Sequence, residues 1–445
     1  MAAGPEQLRI LLLLPARRRL AWHDRLAAAL AEGHDVTTVD SGGDFDVLVD
    51  LSERGATQAA RVLRPLYDGS PDTMALAGRL QRGECPLLDI VDGGGAILAS
   101  SYAAIGDSGR LEGQLDLAFA RVEALLLRAL EGEGAPLKDR PSRTPAAFSR
   151  FRLVKARARR LASRLLAPVR GAGLTRHWNI ALRRDDSPPD VRHFDLAAYA
   201  PLPVDPAVFY ADPFVVEREG RTWLFAEAYP YAIGKGVIVC AELDGNGQAE
   251  PFRPVLERPW HLSYPYVFEH EGEIYLAPEG STHGGVEIYR ATAFPWEWTL
   301  AHHLLPEWSL VDATLFDHEG QLWLLAGAAT RGGSDWDELF AWHAPGLEGP
   351  WTPHRLNPIK SDCRSARPGG RPLRIGGRLL RPAQRCEKAY GEALAWLEIR
   401  TLTPDAFEEV EVSLWRAEGE GLSGPHGADL DGPVRAVDYR TLLAE

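Results

Sequence analysis

A short pattern that returns in four places fixes what this chain can fold into. It reads A-D-P-F-V-V-E-R-E-G-R-T-W-L-F-A-E at Ala211–Glu227. It returns as S-Y-P-Y-V-F-E-H-E-G-E-I-Y-L-A-P-E at Ser263–Glu279 and as V-D-A-T-L-F-D-H-E-G-Q-L-W-L-L-A-G at Val311–Gly327. A looser copy, A-R-P-G-G-R-P-L-R-I-G-G-R-L-L-R-P-A-Q, spans Ala366–Gln384. Each copy reads as a short strand, a tight turn and a second strand. The turns are Glu219-Gly220, Glu271-Gly272, Glu319-Gly320 and Gly376-Gly377. Glycine there permits the positive φ that a two-residue hairpin needs. The copies lie about 50 residues apart, the period of a propeller blade rather than of a helical solenoid. The predicted fold is therefore mainly β, a five-bladed β-propeller over residues 177–445. A small N-terminal α/β domain over 1–132 and a linker with a basic amphipathic helix over 133–176 precede it.

The repeat also points to a site. In a propeller the innermost strands surround one axis, so equivalent positions converge there. Asp212, Tyr264, Asp312 and Arg367 share one such position, and Glu227, Glu279, Gly327 and Gln384 share a second. Packing alone asks only for small or apolar residues at an axis. Ionisable groups crowded around a narrow channel perturb one another and mark a functional pocket. The competing reading is a solvated channel with ordinary ion pairs.

Composition narrows the classes. A formal net charge of −13 argues against broad nucleic-acid binding, which needs a basic surface. All but one of the thirteen Trp follow residue 170, where they fit either blade cores or sugar-stacking surfaces. Cys85, Cys240, Cys363 and Cys386 show no paired spacing, so reduced thiols are expected. The apolar run Ile10–Leu14 is short for a secretory signal and runs into Arg17-Arg18-Arg19. A cytoplasmic protein is the expectation.

The first 132 residues read as β-α-β. Leu8–Leu14, Asp35–Val39 and Phe45–Leu51 are strands, Trp22–Ala31 is a helix with Gly33 as its C-cap, and Leu117–Leu130 is a closing helix. No nucleotide fingerprint appears, and Asp92-Gly93-Gly94-Gly95 reads as a β-turn. Arg150–Arg176 carries nine basic residues and no acid, with Leu153, Leu161, Leu165 and Leu166 along one face. Such a segment suits peripheral contact with an anionic membrane at its inner face, or a solvated linker helix. His177–Arg183 alternates like a strand. It is expected to complete a blade as a clasp between the chain ends, because 404–445 looks short of strands for a fifth blade.

W-N-I-A-L-R, Y-A-D-P-F, W-L-F-A-E, H-L-S-Y-P-Y-V-F, I-Y-L-A-P-E and V-D-A-T-L-F form a series that continues through N-P-I-K-S-D, S-A-R-P-G-G and R-P-A-Q. The series resembles the N-terminal domain of the plant glucosamine inositolphosphorylceramide transferases. That domain also occurs in bacterial proteins, often behind a formyltransferase-like region, and is itself similar to the five-bladed propellers of furanosidase and fructosidase glycoside hydrolases. In the plant proteins a glycosyltransferase domain follows, and it has no counterpart here. Transferase activity is therefore not expected to carry over. The region before residue 132 is only weakly formyltransferase-like. It lacks a placed Asn, His and Asp set, so it is expected to be degenerate or structural.

Glycoside cleavage needs two carboxyl groups across the scissile bond. The resemblance implies that Asp212, in A-D-P-F, is the base or nucleophile. Glu279, in A-P-E-G, is placed for the general acid, and Asp312 for the third, tuning role. Glu227 competes with Glu279. Tyr264, His261, Asp362, Arg367, Arg381, Gln384 and His426 are the expected substrate-binding residues. The two arginines suit a carboxylate or phosphate. No cofactor is expected, and no calcium or zinc spacing is present, although an ion held by His426 and water stays open. The expected function is a carbohydrate-active protein that binds or transforms a sugar or sugar-phosphate in glycan or glycolipid assembly. A non-catalytic glycan-binding module and a glycoside hydrolase are the alternatives.

Overall fold

The structure is a computed structural model. It describes all residues except 1–6, 16–19, 39–43, 53–60, 107–109, 139, 141–142, 156–157, 159–173, 246, 281 and 445. The chain divides into two compact units, Met1–Leu165 with Thr330–Ser334, and Leu166–Ala329 with Asp335–Glu445.

The first unit is built on a six-stranded sheet. Its strands are β1 (Arg9–Leu13), β2 (Asp35–Thr37), β3 (Val47–Asp50), β4 (Arg61–Tyr67), β5 (Leu87–Val91) and β6 (Ile97–Tyr102), in the order β2-β1-β3-β4-β5-β6. The first four are parallel and the last two antiparallel. Helices α1 (Ala21–Ala31), α2 (Thr73–Leu80) and α3 (Leu111–Glu131) accompany it. The apolar runs of β1, β3 and β5 are buried, as a covered sheet requires. Gly33 does not cap α1, which ends on Glu32 in a right-handed conformation. The left-handed glycine cap is Gly132, at the end of α3. Asp92-Gly93-Gly94-Gly95 is the β5–β6 turn, held by Asp92 accepting from Gly94 and Ala96. Residues 150–155 are helical, and most of the basic segment beyond them lies outside the described residues. Among the described residues no helix is long and apolar enough to cross a membrane.

The second unit is a five-bladed propeller. It opens with β7 (Leu174–Arg184) and β8 (Ala200–Pro201). Blade one is β9 (Val208–Arg218), β10 (Arg221–Pro230), β11 (Val237–Leu243) and β12 (Arg253–Leu256). Blade two is β13 (Ser263–His270), β14 (Glu273–Glu279), β15 (Val286–Ala293) and β16 (Glu297–Leu304). Blade three is β17 (Leu310–His318), β18 (Gln321–Ala328), β19 (Glu338–Ala344) and β20 (Thr352–Pro353), with β21 (Lys360–Ser361) also on β19. Blade four is β22 (Leu373–Ile375), β23 (Arg378–Arg385), β24 (Ala393–Thr403) and β25 (Ala406–Trp415). Blade five joins β26 (Ala428–Asp429) and β27 (Val434–Ala444) to β7 and β8.

The clasp is thus real, with β7 antiparallel to β27 from Val434↔Arg184 to Ala444↔Leu174. The expected position of the fifth blade needs correction. Residues up to Trp415 belong to blade four, and only the two inner strands of blade five come from the C-terminal end. The shortage of strands beyond 415 arises because β7 and β8 supply the outer half.

Closure is also visible in the core. Ile180, Leu182 and Ala436 of blade five pack with Val215 and Leu224 of blade one. Phe225, Tyr266, Leu276, Leu315 and Phe340 continue through blades one to three. Trp323 and Leu325 meet Leu379 and Ile399 between blades three and four. Trp396 and Trp415 meet Ala181 and Val437 between blades four and five. Trp323, Trp342, Trp396 and Trp415 are fully buried, so these four of the late tryptophans fill blade cores.

Each predicted turn is a two-residue hairpin, flanked by Arg218↔Arg221, His270↔Glu273, His318↔Gln321 and Ile375↔Arg378. Glu219 at φ 54 and Gly220 at φ 74 both take the left-handed conformation this turn demands. A Cβ on Gly220 would meet nothing within 4 Å, so substitution there isolates the backbone term. Gly220→Ala should cost about 1 kcal/mol and Gly220→Val about 2 kcal/mol. Thermal melts of the two variants check the order. Equal stability to wild type would show that the turn relaxes.

Candidate axial site

The inner strands of the first three blades share one irregularity. Ala211↔Glu227 is followed by Phe214↔Phe225, so one strand advances three residues while its partner advances two. The same slip separates Ser263↔Glu279 from Tyr266↔Ala277, and Val311↔Gly327 from Thr314↔Leu325. Each is a β-bulge, which turns a side chain out of the normal alternation. Inside the bulges lie Asp212 at φ 51, Tyr264 at φ 43 and Asp312 at φ 52. Left-handed backbone at a non-glycine residue costs about 1 kcal/mol or more and persists where neighbours hold it.

Here the neighbours are carboxylates of the preceding blade. The Asp212 N–H donates to Asp438 of blade five, at 3.2 Å. The Tyr264 N–H donates to Asp212, at 3.0 Å, and the Asp312 N–H to Glu279, at 3.3 Å. Asp312 in turn accepts from Arg367 and Gln384 of blade four, at 2.6 and 2.8 Å. The Tyr264 hydroxyl meets Thr314 and accepts from the Gly370 N–H. The axial acids therefore stitch blade to blade as well as facing one another.

Three groups of charge result. In the first, His426 lies between Asp438 (Nδ1 to Oδ2, 2.7 Å) and Asp212 (Nε2 to Oδ1, 3.3 Å), stacked on Trp178. Burial opposes charge on His426, but Asp438 and Asp212 prevail and hold its pKa above the usual value. Burial raises the Asp212 carboxyl to about 6 against the pull of His426. Donor atoms of Asp212, His426 and Asp438 lie within 4.8 Å of one another, the grouping a cation would need. Asp438 already accepts the backbone N–H groups of Asp212, His426 and Gly427, and the three side chains form an Asp–His–Asp ion triad.

In the second group, Arg367 reaches Asp312 (2.6 Å), Glu279 (3.1 Å) and Asp335 (3.2 Å) and lies over the Tyr390 ring. Burial drives the Asp312 carboxyl upward and Arg367 resists it. The third group is Glu227 with His261. Glu227 is buried, and its Oε1 has no hydrogen-bond partner among the described residues. The nearest ring nitrogen is His261 Nε2, at 3.5 Å. Burial raises the Glu227 carboxyl well above its ordinary value, and Asp212, Glu279, Asp312 and Asp438 add to it.

Asp212, Tyr264, Glu279, Asp312, Arg367, Gln384 and His426 are thus linked by hydrogen bonds and ion pairs around the axis. Four expected members do not join them: Glu227 and His261 form the separate third group, and Arg381 and Asp362 are bound elsewhere. Arg381 is bound by Glu409 and the Ser365 carbonyl inside blade four, with Lys360 on the same carboxylate. Its position on β23 is three residues from Gln384, which places it on the opposite face of the strand. Asp362 caps its own loop, binding the Arg364 N–H and guanidinium. Asp438, Asp335 and Tyr390 were missed because they lie outside the repeated hairpin copies. For Asp438 the signal was available, as the single acid inside the apolar and basic run V-R-A-V-D-Y-R.

These features define a five-bladed propeller with a charged, blade-stitching axis. Residues 198–423, just over half of the chain, match the family described as Glucosamine inositolphosphorylceramide transferase 1, N-terminal, and the chain belongs to that family. The rice (Oryza sativa subsp. japonica) protein named Glucosamine inositolphosphorylceramide transferase 1 is 39% identical over 213 residues, 47% of this chain and 28% of the rice protein. The Arabidopsis thaliana protein of that name is 37% identical over 211 residues, with 46% and 28% covered. The match thus spans little more than a quarter of these relatives. Among solved structures, a family 117 glycoside hydrolase of Zobellia galactanivorans aligns over 60% of this chain and 90% of its own, at 13% identity and a TM-score of 0.38. The Cellvibrio cellulosa alpha-L-arabinanase complexed with arabinohexaose aligns over 45% and 77%, at 15% identity and a TM-score of 0.36. No residue role is carried over from either.

Proposed function

We propose that the propeller axis binds, and through Glu227 and Asp212 transforms, a sugar or sugar-phosphate in glycan or glycolipid assembly. The observation that carries this reading is the unequal setting of two carboxyls on one hairpin. Asp212 is paired with His426, which favours its ionised form. Glu227 is buried beside further acids with one oxygen unbonded, which favours its neutral form. Environments that separate two carboxyls in this way divide base from acid. Glu279 was expected as the acid, but it is ion-paired with Arg367 at 3.1 Å, so this reading gives the acid role to Glu227. The relatives' name mentions glucosamine and inositolphosphorylceramide, so a glucosamine or inositol-phosphate headgroup is the ligand class to try first.

Calorimetric titration with glucosamine, inositol phosphate and sugar phosphates tests binding, and aryl glycosides test turnover. Glu227→Gln should keep binding and lose turnover by about 100-fold or more, the scale of a lost general acid. A panel with neither binding nor turnover would remove this reading. The blade-stitching bonds of Asp212 and Glu279 favour a second reading, a glycan-binding module without catalysis. Binding without turnover, unchanged in Glu227→Gln, would select it.

A further inference from the structure

Glu227 is held by more than burial. The Gly236 N–H donates to His261 Nδ1 at 2.8 Å, and the Gly236 carbonyl accepts from the Leu262 N–H at 3.1 Å. A Cβ on Gly236 would lie 2.3 Å from the Leu262 carbonyl oxygen, 2.6 Å from Glu227 Oε1 and 2.8 Å from His261 Cε1. Only glycine lets these three segments close on one another. The His261 side chain is 40% exposed at the outer side of this contact, while that of Glu227 is 8% exposed.

The chemistry of the ring follows from the Gly236 bond. A ring nitrogen that accepts an N–H carries no proton, so the proton of neutral His261 is on Nε2. Nε2–H can only donate, and the acceptor beside it is Glu227 Oε1. A second proton on Nδ1 would point at the Gly236 hydrogen and break that bond. Burial of the ring acts in the same direction. The other groups that bear on Glu227 are the carboxyls of Asp212, Glu279, Asp312 and Asp438.

We propose that His261 is a positioning residue, a neutral imidazole locked in one tautomer by Gly236, whose Nε2–H faces Glu227 Oε1 across 3.5 Å without a settled hydrogen bond and so biases the acid proton to Oε2. The proposal rests on Glu227 being the acid of the function proposed above. Its test needs no sugar, so the two fail separately.

Nitrogen NMR of the histidine-labelled protein reads the tautomer in the unmodified chain. The expected result is a proton on His261 Nε2, none on Nδ1, and no titration of this ring between about pH 5.5 and 8, the range in which ordinary imidazoles titrate. A proton on Nδ1, or a charged ring near neutrality, would overturn the proposal. Infrared titration of the Glu227 carboxyl band, identified by its loss in Glu227→Gln, gives the second readout. An N–H dipole that faces Oε1 across 3.5 Å offsets part of the burial that keeps Glu227 neutral, so His261→Leu should raise the proton affinity of Glu227 about tenfold. His261→Gln keeps an N–H donor at that place and should stay within about twofold of wild type. An unchanged titration in a folded His261→Leu protein would also overturn it. Should that variant fail to fold, the tautomer measurement decides alone.

Discussion

Arg367→Met should cost the propeller about 3–5 kcal/mol, the penalty for removing one partner of a buried ion pair. Arg367 is 5% exposed and holds Asp312, Glu279 and Asp335. Methionine fills much of the same volume, so lost packing contributes little and the charge effect dominates. Without the guanidinium, among the described residues only the Gln384 amide still offsets the burial of Asp312, which must take up a proton to stay inside. The loss should therefore shrink as pH falls toward 4, where that proton is readily available. Arg367→Lys keeps the charge but cannot bridge three carboxylates, and should fall between the two. Urea unfolding at two pH values measures all of this. Since native domains have about 5–15 kcal/mol in total, the variant will be near its threshold of folding. A loss below about 1 kcal/mol would mean that the arginine is not a structural clamp. It would then be a group held ready for an anionic ligand, which favours the sugar-phosphate branch of the proposed function.

The propeller was legible because its turns are chemically explicit. Glu-Gly before a strand of alternating apolar residues specifies a hairpin, and repetition of that hairpin specifies blades. The clasp between the chain ends was also legible, from the alternation of His177–Arg183 and the shortage of strands in 404–445. What the spacing did not show was where the blades divide, with blade four running to Trp415 and the inner strands of blade five beginning only at Ala428. That division follows from closing the ring, and ring closure is a long-range property with no local sequence mark.

The site was legible in its membership but not in its wiring. Equivalence of repeats placed Asp212, Tyr264 and Asp312 together, and the common bulge confirms that they share one backbone state. The bulge itself was hidden, because none of the three is glycine and no turn residue announces it. Arg381, expected to bind substrate at the axis, lies three residues from Gln384 on β23. Three positions along a strand reverse the face, and Glu409 on the adjacent strand was ready to receive it. Asp438 carries four contacts in the axis, yet it sits in a strand that no copy of the repeat resembles.

Stability that declines as pH rises is the second large effect expected, contrary to the usual loss on the acid side. Asp212 has its pKa raised from 3.8 to about 6, with burial as the main cause. The native state therefore binds this proton more tightly than the unfolded chain does. The contribution is fully present below pH 3.8 and is lost as pH climbs through about 6. His426 is raised from 6.5 in the native state despite burial, by Asp438 and Asp212, so its contribution is complete below 6.5 and is lost as pH rises through its folded value. Both groups act with the same sign over adjacent windows. The Asp212 shift alone corresponds to about 3 kcal/mol at 1.36 kcal/mol for each pKa unit. Paired surface acids such as Glu242 have lowered values and act in the opposite direction, so the total curve mixes the two signs. The difference between wild type and Asp212→Asn isolates the axial part. Wild type should lose about 2–3 kcal/mol relative to Asp212→Asn between about pH 4 and pH 7. His426→Gln should remove the fall above pH 6.5 and leave part of the lower one. Urea unfolding across that range gives the answer. A wild-type advantage that stays level, or grows with pH, would show that Asp212 is ionised at no cost in the folded channel, and that His426 fully offsets its burial.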